Sequence, residues 1–309
     1  MNLGRRGANN GAVETAALET VDLRIAYKSG WRGTAREAVS GLTLRVEPGE
    51  VVGFIGPNGA GKSSTIKALM GFVQPSGGEA RLLGKPAGSI EARRQVGFLP
   101  EVALYYPWLS PMETLWMYGR LAGLTTAAAR KQSLELLRKV GLEGREREWL
   151  KGFSKGMLQR VGIAQSLLGD PKLLILDEVS SGLDPLGRRD LRNLMLEQKQ
   201  AGVTIFFSSH ELTEVAQLCD RVILVHKGRV LDERPVAELL AELRRYWVRF
   251  RSDEEPRFPA QRTDQAWEAE FTSLAEWRKA LDGLPAEAVL DAGEREGTLE
   301  EYFVRMVSD

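Results

Sequence analysis

The chain has 309 residues, with 42 lysines and arginines balanced by 42 aspartates and glutamates. Zero formal charge argues against a protein whose main business is coating nucleic acid or an anionic membrane surface. Hydrophobic residues at 43% and charged residues at 27% suit one large domain plus a smaller one, and the single cysteine, Cys219, excludes a disulfide framework. A lone thiol also fits a reducing compartment. No run approaches about 18 consecutive apolar residues, so no segment is expected to span a bilayer. The first residues hold two arginines but no apolar stretch of a secretory signal. A cytosolic protein is expected, with any membrane role coming through a partner.

Residues 1–17 lack an apolar period and are expected to form a flexible tail, with order beginning near Leu18. Val21, Leu23, Ile25 and Tyr27 alternate as one face of a strand, and Leu42, Leu44 and Val46 repeat the pattern. The polar segment 28–38 between them reads as a loop, and Glu47-Pro48-Gly49-Glu50 as a turn. Residues 51–55 (VVGFI) form a continuous apolar run, as a strand buried on both faces of a parallel sheet requires. A Gly-rich loop and a helix carrying Ile66, Leu69 and Met70 follow. Two more apolar runs, 173–176 (LLIL) and 203–207 (VTIFF), are separated by a helix with Leu191, Leu194 and Met195. Strands alternating with helices predict βαβ units, hence an α/β fold around a parallel sheet.

Residues 112–145 interrupt that rhythm. Leu134, Leu137 and Val140 fall at helical spacing, which predicts an inserted helical subdomain over about 102–150. A hairpin is expected at 222–230, ending a main domain over 18–235. Residues 236–309 alternate helix and strand patterns and read as a small α+β module: a helix over 236–245, strands through Tyr246, Val248, Phe250 and Trp267, Ala269, Phe271, a helix through Leu274, Trp277 and Leu281, and a strand near 286–291. Thr298 with Glu301 three residues later opens a last helix.

Gly56-Pro57-Asn58-Gly59-Ala60-Gly61-Lys62-Ser63 matches G-x-x-x-x-G-K-[ST]. Its glycines let successive N–H groups turn inward on phosphates, and a helix starting near Lys62 adds its positive end. Lys62 can reach the β- and γ-phosphates, the Ser63 hydroxyl can ligate Mg²⁺, and Ser64 follows in the same site. The motif sits between a buried strand and a helix, the context it demands. Asp177 and Glu178 end the run LLIL at the carboxyl edge of the sheet, where ligands bind. Asp177 can hold the metal, and Glu178 can polarise the attacking water. His210 ends another strand and is placed to sense the γ-phosphate, whereas His226, in the hairpin, reads as structural.

Together these residues resemble the ATP-binding cassette (ABC) ATPases over about residues 18–235. Gly56 to Ser63 is similar to the Walker A loop, Leu173 to Glu178 to Walker B, Ser181-Gly182-Leu183-Asp184 to the D-loop and His210 to the switch histidine. Phe153-Ser154-Lys155-Gly156-Met157 stands in the place of the signature, keeping Ser154 and Gly156 of Leu-Ser-Gly-Gly-Gln. Tyr27 resembles the aromatic residue that stacks on adenine, with Trp31 as its rival. Glu101, in GFLPE, replaces the Q-loop glutamine but remains a hard oxygen ligand for Mg²⁺.

The resemblance implies a P-loop core of ABC type with an N-terminal antiparallel β subdomain. It implies ATP and Mg²⁺ at Tyr27, residues 56–64, Glu101, Ser154, Gly156 and Asp184, with Ser63, Asp177 and Glu101 as metal ligands. Glu178, His210 and Lys62 are then catalytic. It also implies a head-to-tail pair, most simply a homodimer, acting on a separate permease at the inner face of a membrane. GFLPE, the Ser-Lys-Gly-Met signature and the Leu299-to-Phe303 tail are similar to exporters of drugs, antibiotics, lipids or polysaccharides. Tyr105, Tyr106, Pro107 and Trp108 either meet that permease or pack against the inserted helices. The competing reading is a non-transport cassette, in DNA repair, chromosome maintenance or translation. Against it stand the short span between Walker A and the signature, and the single cassette.

Overall fold

The protein, a computed structural model, is described over residues 15–28, 35–263 and 265–308. From the N-terminal side, β1 (Leu18–Lys28), β2 (Ala35–Val46), β3 (Val51–Ile55), α1 (Lys62–Leu69), β4 (Gly77–Leu82) and β5 (Lys85–Pro86) precede α2 (Ile90–Arg93) and β6 (Val96–Leu99). Helices α3 (Pro111–Leu121), α4 (Thr126–Lys139) and α5 (Lys155–Ser166) lead to β7 (Leu173–Asp177), α6 (Pro185–Gln200), β8 (Thr204–Ser208) and α7 (Leu212–Leu218). Then come β9 (Arg221–His226), β10 (Arg229–Pro235), α8 (Val236–Leu243), β11 (Arg245–Phe250), β12 (Gln261–Arg262), β13 (Trp267–Phe271), α9 (Leu274–Asp282), β14 (Val289–Arg295) and α10 (Leu299–Ser308).

The apolar runs set the centre. Every residue of β3, β7 and β8 is buried, and these strands lie inside a six-stranded sheet of order β10-β9-β3-β8-β7-β6. All its pairings are parallel except the β9–β10 hairpin. Successive side chains point to opposite faces, so the sheet feeds two separate cores. Val52, Phe54, Leu173, Ile175 and Phe206 pack with α1 under the N-terminal sheet. Val51, Ile55, Leu174, Leu176, Ile205 and Phe207 pack on the other side with α5, α6 and α7.

The N-terminal sheet is antiparallel, of order β2-β1-β4-β5. Leu23 and Ile25 are buried in it as expected, but Val21 is exposed. Asp22 adopts φ 49°, and the β1–β2 register slips between Thr20 and Leu23. This bulge shifts the inward parity by one residue. Thr20 takes the buried position instead, its hydroxyl donating to the Leu42 carbonyl at 2.9 Å. Two other expectations change. Ala16 and Ala17 are buried, with Ala17 N–H bonded to the Val46 carbonyl, so order starts before Leu18. Strand β2 begins at Ala35, inside the segment expected as a loop. Residues 29–34 of that loop, with Trp31, and residues 1–14 of the expected tail lie outside the described residues.

In the helical insertion, Ser110 and Glu113 form a capping box at the start of α3, each side chain accepting the other's backbone N–H at 3.2 and 2.8 Å. The Ser110 N–H and the Ser110 hydroxyl, both donating to the Glu113 carboxyl, hold it below its ordinary pKa. Helix α4 buries Ala129, Ser133, Leu136 and Leu137, whereas Leu134 is exposed. It sits one residue, about 100° of helix rotation, off that stripe.

Residues 236–309 serve two cores. A second antiparallel sheet, β12-β13-β11-β14, packs Val248, Phe250, Ala269 and Phe271 against α9. Helices α8 and α10 instead place Val236, Leu239, Leu243, Leu299 and Tyr302 in the larger core beside α7. Tyr302 is fully buried, and its hydroxyl donates to Asp232 Oδ2 at 2.8 Å. The strand expected near 286–291 runs from Val289 to Arg295, because Ala286–Ala288 form a 3-10 turn after Pro285. Among the described residues, no helix is long and apolar enough to cross a membrane.

Candidate functional site

Strand β3 ends at Ile55, and the chain then loops over the carboxyl edge of the sheet before α1 begins at Lys62. The loop closes tightly. Gly61 has φ 107°, and a Cβ there would lie 2.6 Å from the Ala38 carbonyl, so no other residue fits. The first N–H groups of α1 point into the loop with the positive end of the helix. Lys62 is 7% exposed and folds back, its ammonium donating to the Gly56 carbonyl at 2.7 Å and to Pro57 at 3.4 Å. Such carbonyls are stand-ins for phosphate oxygens: the cation is already in place over the loop.

The acidic pair meets this loop from β7. Asp177 is buried, and its Oδ1 accepts from Ser63 Oγ at 3.4 Å and from Ser208 Oγ at 2.6 Å. Glu178 has a left-handed backbone, φ 51°, a conformation worth about 1–3 kcal/mol of strain in a residue other than glycine. It is held there because Ser208 accepts the Glu178 N–H through both its hydroxyl, at 3.1 Å, and its carbonyl, at 3.2 Å. The turn aims the Glu178 carboxylate at His210, whose Nδ1 lies 2.5 Å from Oε2. The imidazole is mostly exposed and the carboxylate mostly buried, so His210 reaches outward from a base seated in the protein.

Lys62, Ser63, Glu178 and His210 share one cleft of about 750 Å³, lined also by Tyr27, the rest of residues 58–64, Glu101 and Ser181, with the buried Asp177 and Ser208 outside the lining. That volume suits a nucleotide-sized ligand. Tyr27 stands at its rim, half-exposed, with its hydroxyl on Ser64 Oγ at 3.2 Å. Ser154, Gly156 and Asp184 are not among the lining residues. Ser154 caps α5, its hydroxyl accepting from Met157 N–H at 3.3 Å. Asp184 caps α6, accepting from Gly187 N–H at 2.9 Å. His226 lies in the β9–β10 hairpin, outside the cleft.

Sequence reasoning missed Ser208, buried behind the cleft, and three residues of the cleft lining. Ser208, buried at the end of β8, connects Asp177 to Glu178; the serine ending an otherwise apolar run was its only signal. Arg36, Glu37 and Ala38 line the cleft, and their polar surroundings gave no strand signal. Tyr105 and its neighbours divide. Tyr105 turns inward, donating to Gln165 Oε1 at 2.8 Å with its ring edge-on to Tyr118, and burial pushes its pKa up. Tyr106 and Trp108 stay exposed, their rings 5.5 Å apart.

Comparison with known proteins agrees with this geometry. A family model described as ABC transporter matches residues 39–181. An ABC transporter ATP-binding protein of Synechocystis sp. is 35% identical over 307 residues, covering 96% of this chain and 86% of its own length. The bacitracin transport ATP-binding protein BcrA of Bacillus licheniformis is 37% identical over 232 residues, 74% of this chain and 73% of its own. A solved ATP-binding subunit of an ABC transporter is 36% identical with a TM-score of 0.65, covering 72% of this chain and 91% of that one. The repair and translation alternatives are not favoured by these likenesses. With its phosphate loop, acidic strand end and histidine gathered at one cleft, the chain belongs to the ATP-binding, ATP-hydrolysing subunits of ABC transporters.

Proposed function

We propose that two copies of this chain clamp ATP and Mg²⁺ head to tail and drive a separate membrane permease that exports a drug, antibiotic, lipid or polysaccharide. The observation that carries the pairing is the incompleteness of the cleft: Lys62, Ser63, Glu178 and His210 line it, while Ser154 and Gly156 do not. Ser154 and the N-terminus of α5 offer donors to a second copy's triphosphate. The donor set suits Mg²⁺. Ser63 Oγ and Asp177 Oδ1 stand 3.4 Å apart, and no trio of metal-ligating His, Cys, Asp or Glu exists among the described residues. Two protein oxygens completed by phosphates are what this ion takes, and it would neutralise phosphate charge there. Glu101 offers a third oxygen at the cleft wall.

Each residue then has a task. Lys62 exchanges the Gly56 carbonyl for phosphate oxygens, and Tyr27 presents its ring to the base. Glu178 orients the attacking water and takes its proton, with His210 fixing the carboxylate. Loss of the γ-phosphate removes the charge that held the two copies together. The relative named for bacitracin transport supports an antibiotic cargo. Pairing with a permease places the protein at the cytoplasmic face of a membrane. Glu178→Gln is expected to keep ATP binding, lose roughly 10²–10⁴-fold in turnover and elute as an ATP-dependent dimer. A variant that stays monomeric in ATP, or turns over at the wild-type rate, sinks the proposal.

A further inference from the structure

Helix α5 and the Glu178 turn belong to opposite ends of the proposed pair: the helix N-terminus is offered to the second copy, whereas Glu178 serves the chain's own nucleotide. Within one chain the two are joined at three points. Gln159, on α5, is 3% exposed, and its amide donates to the Val179 carbonyl at 2.7 Å, one residue beyond the strained Glu178. Lys155, beside the capping Ser154, donates to Ser181 Oγ at 3.0 Å. Its aliphatic stem lies where a Cβ on Gly182, φ 81°, would come within 2.8 Å of it, and the Gly182 carbonyl sits 3.0 Å from the Cβ position of Gly156. The turn between is stiffened by Ser181 N–H on the Glu178 carbonyl at 3.0 Å and Leu183 N–H on the Ser180 carbonyl at 3.1 Å.

We propose that Gln159 is a positioning residue for hydrolysis, tying the backbone just after Glu178 to the helix offered to the partner. A left-handed residue persists only where its surroundings over-determine it. Ser208 grips Glu178 from the amino side, through its N–H. Gln159 grips the next peptide from the carboxyl side, and it comes from the element the partner's nucleotide would seat. Docking of α5 on that nucleotide therefore sets the angle of the base at the other nucleotide, and Lys155 on Ser181 reinforces the same joint at the surface. The inference rests on the head-to-tail reading above, but concerns only contacts inside one chain.

The full chain decides it. Gln159→Leu is expected to lower kcat for ATP hydrolysis by roughly 10–100-fold, since small misplacement of a catalytic group costs on that scale. The KM for ATP and the binding of a fluorescent ATP analogue stay unchanged, and the Hill coefficient for ATP falls toward one. In Gln159→Glu, a buried carboxyl titrates high and donates to Val179 only when protonated. Its rate relative to wild type should therefore climb as the pH drops from about 8 to about 6. A wild-type kcat in Gln159→Leu, or a flat ratio in Gln159→Glu, overturns the role. Should Gln159→Leu fail to fold, Lys155→Met decides at an exposed position: several-fold loss of kcat at constant KM supports the joint, and no loss overturns it. Lys62→Ala separates the two readings, because retained ATP binding there defeats the nucleotide site itself.

Discussion

Single residues carry the chemistry here, and their legibility differs sharply. Motif spacing singled out Lys62 and Ser63, and a place at the end of a buried apolar run, beside a phosphate loop, singled out Asp177 and Glu178. Gln159 and Ser208 were invisible for the opposite reason: a polar side chain in a helix or at a strand end reads as solvated until tertiary packing buries it. Glu214 on α7 is another such case. Burial raises its pKa above the ordinary value, with Arg188 pulling the other way. A raised carboxyl pKa means the folded state binds the proton more tightly. Its contribution is thus fully present below the unfolded pKa and lost as pH climbs through the folded one. Glu214→Gln is expected to raise the melting temperature at pH about 8 relative to wild type, with the gain vanishing near pH 4. An equal shift at both pH values would show that burial of the charge is not the cause.

At the scale of elements, the apolar runs of β3, β7 and β8 were readable because a strand buried on both faces has no freedom in composition. Exposed elements were less so. Strand β2 carries Arg36 and Glu37, both exposed, directly after its first residue Ala35, and β14 is an edge strand with exposed Leu290 and Asp291; neither shows the alternation that burial enforces. The bulge at Asp22 is equally unreadable, since it consists of a backbone angle. The segment after β6 exposes Val102, Leu104, Tyr106 and Trp108 ahead of α3. Aromatic side chains are enriched in interface centres, and we propose that Tyr106 and Trp108 meet the permease. Replacing Tyr106 and Trp108 together by alanine should leave the ATPase and the melting temperature intact while the membrane protein no longer co-purifies. Undiminished co-purification would remove this segment from the contact.

At the scale of the whole molecule, the α/β plan was legible and the way its ends close was not. The pattern of helix and strand in residues 236–309 suggested a self-contained module, yet α8 and α10 fill the larger core beside α7. No local pattern reports which core an amphipathic helix will join. Tyr302 makes the point: its ring is fully buried, its hydroxyl is bonded to Asp232, and burial drives its pKa upward. Tyr302→Phe should cost about 1–2 kcal/mol, read as a lower urea midpoint with an unchanged slope. A midpoint equal to that of wild type would mean that Asp232 is as well served by water.

The burial of Leu299 and Tyr302 beside α7 also bears on how the protein is made. Chains fold from the amino end as they leave the ribosome, so the phosphate loop and its flanking strands emerge long before α10 does. Until that helix arrives, the groove between α7 and α8 stays open with its leucines uncovered. A nascent chain can thus assemble its catalytic edge early, yet closes this groove only once residues 299–308 have emerged.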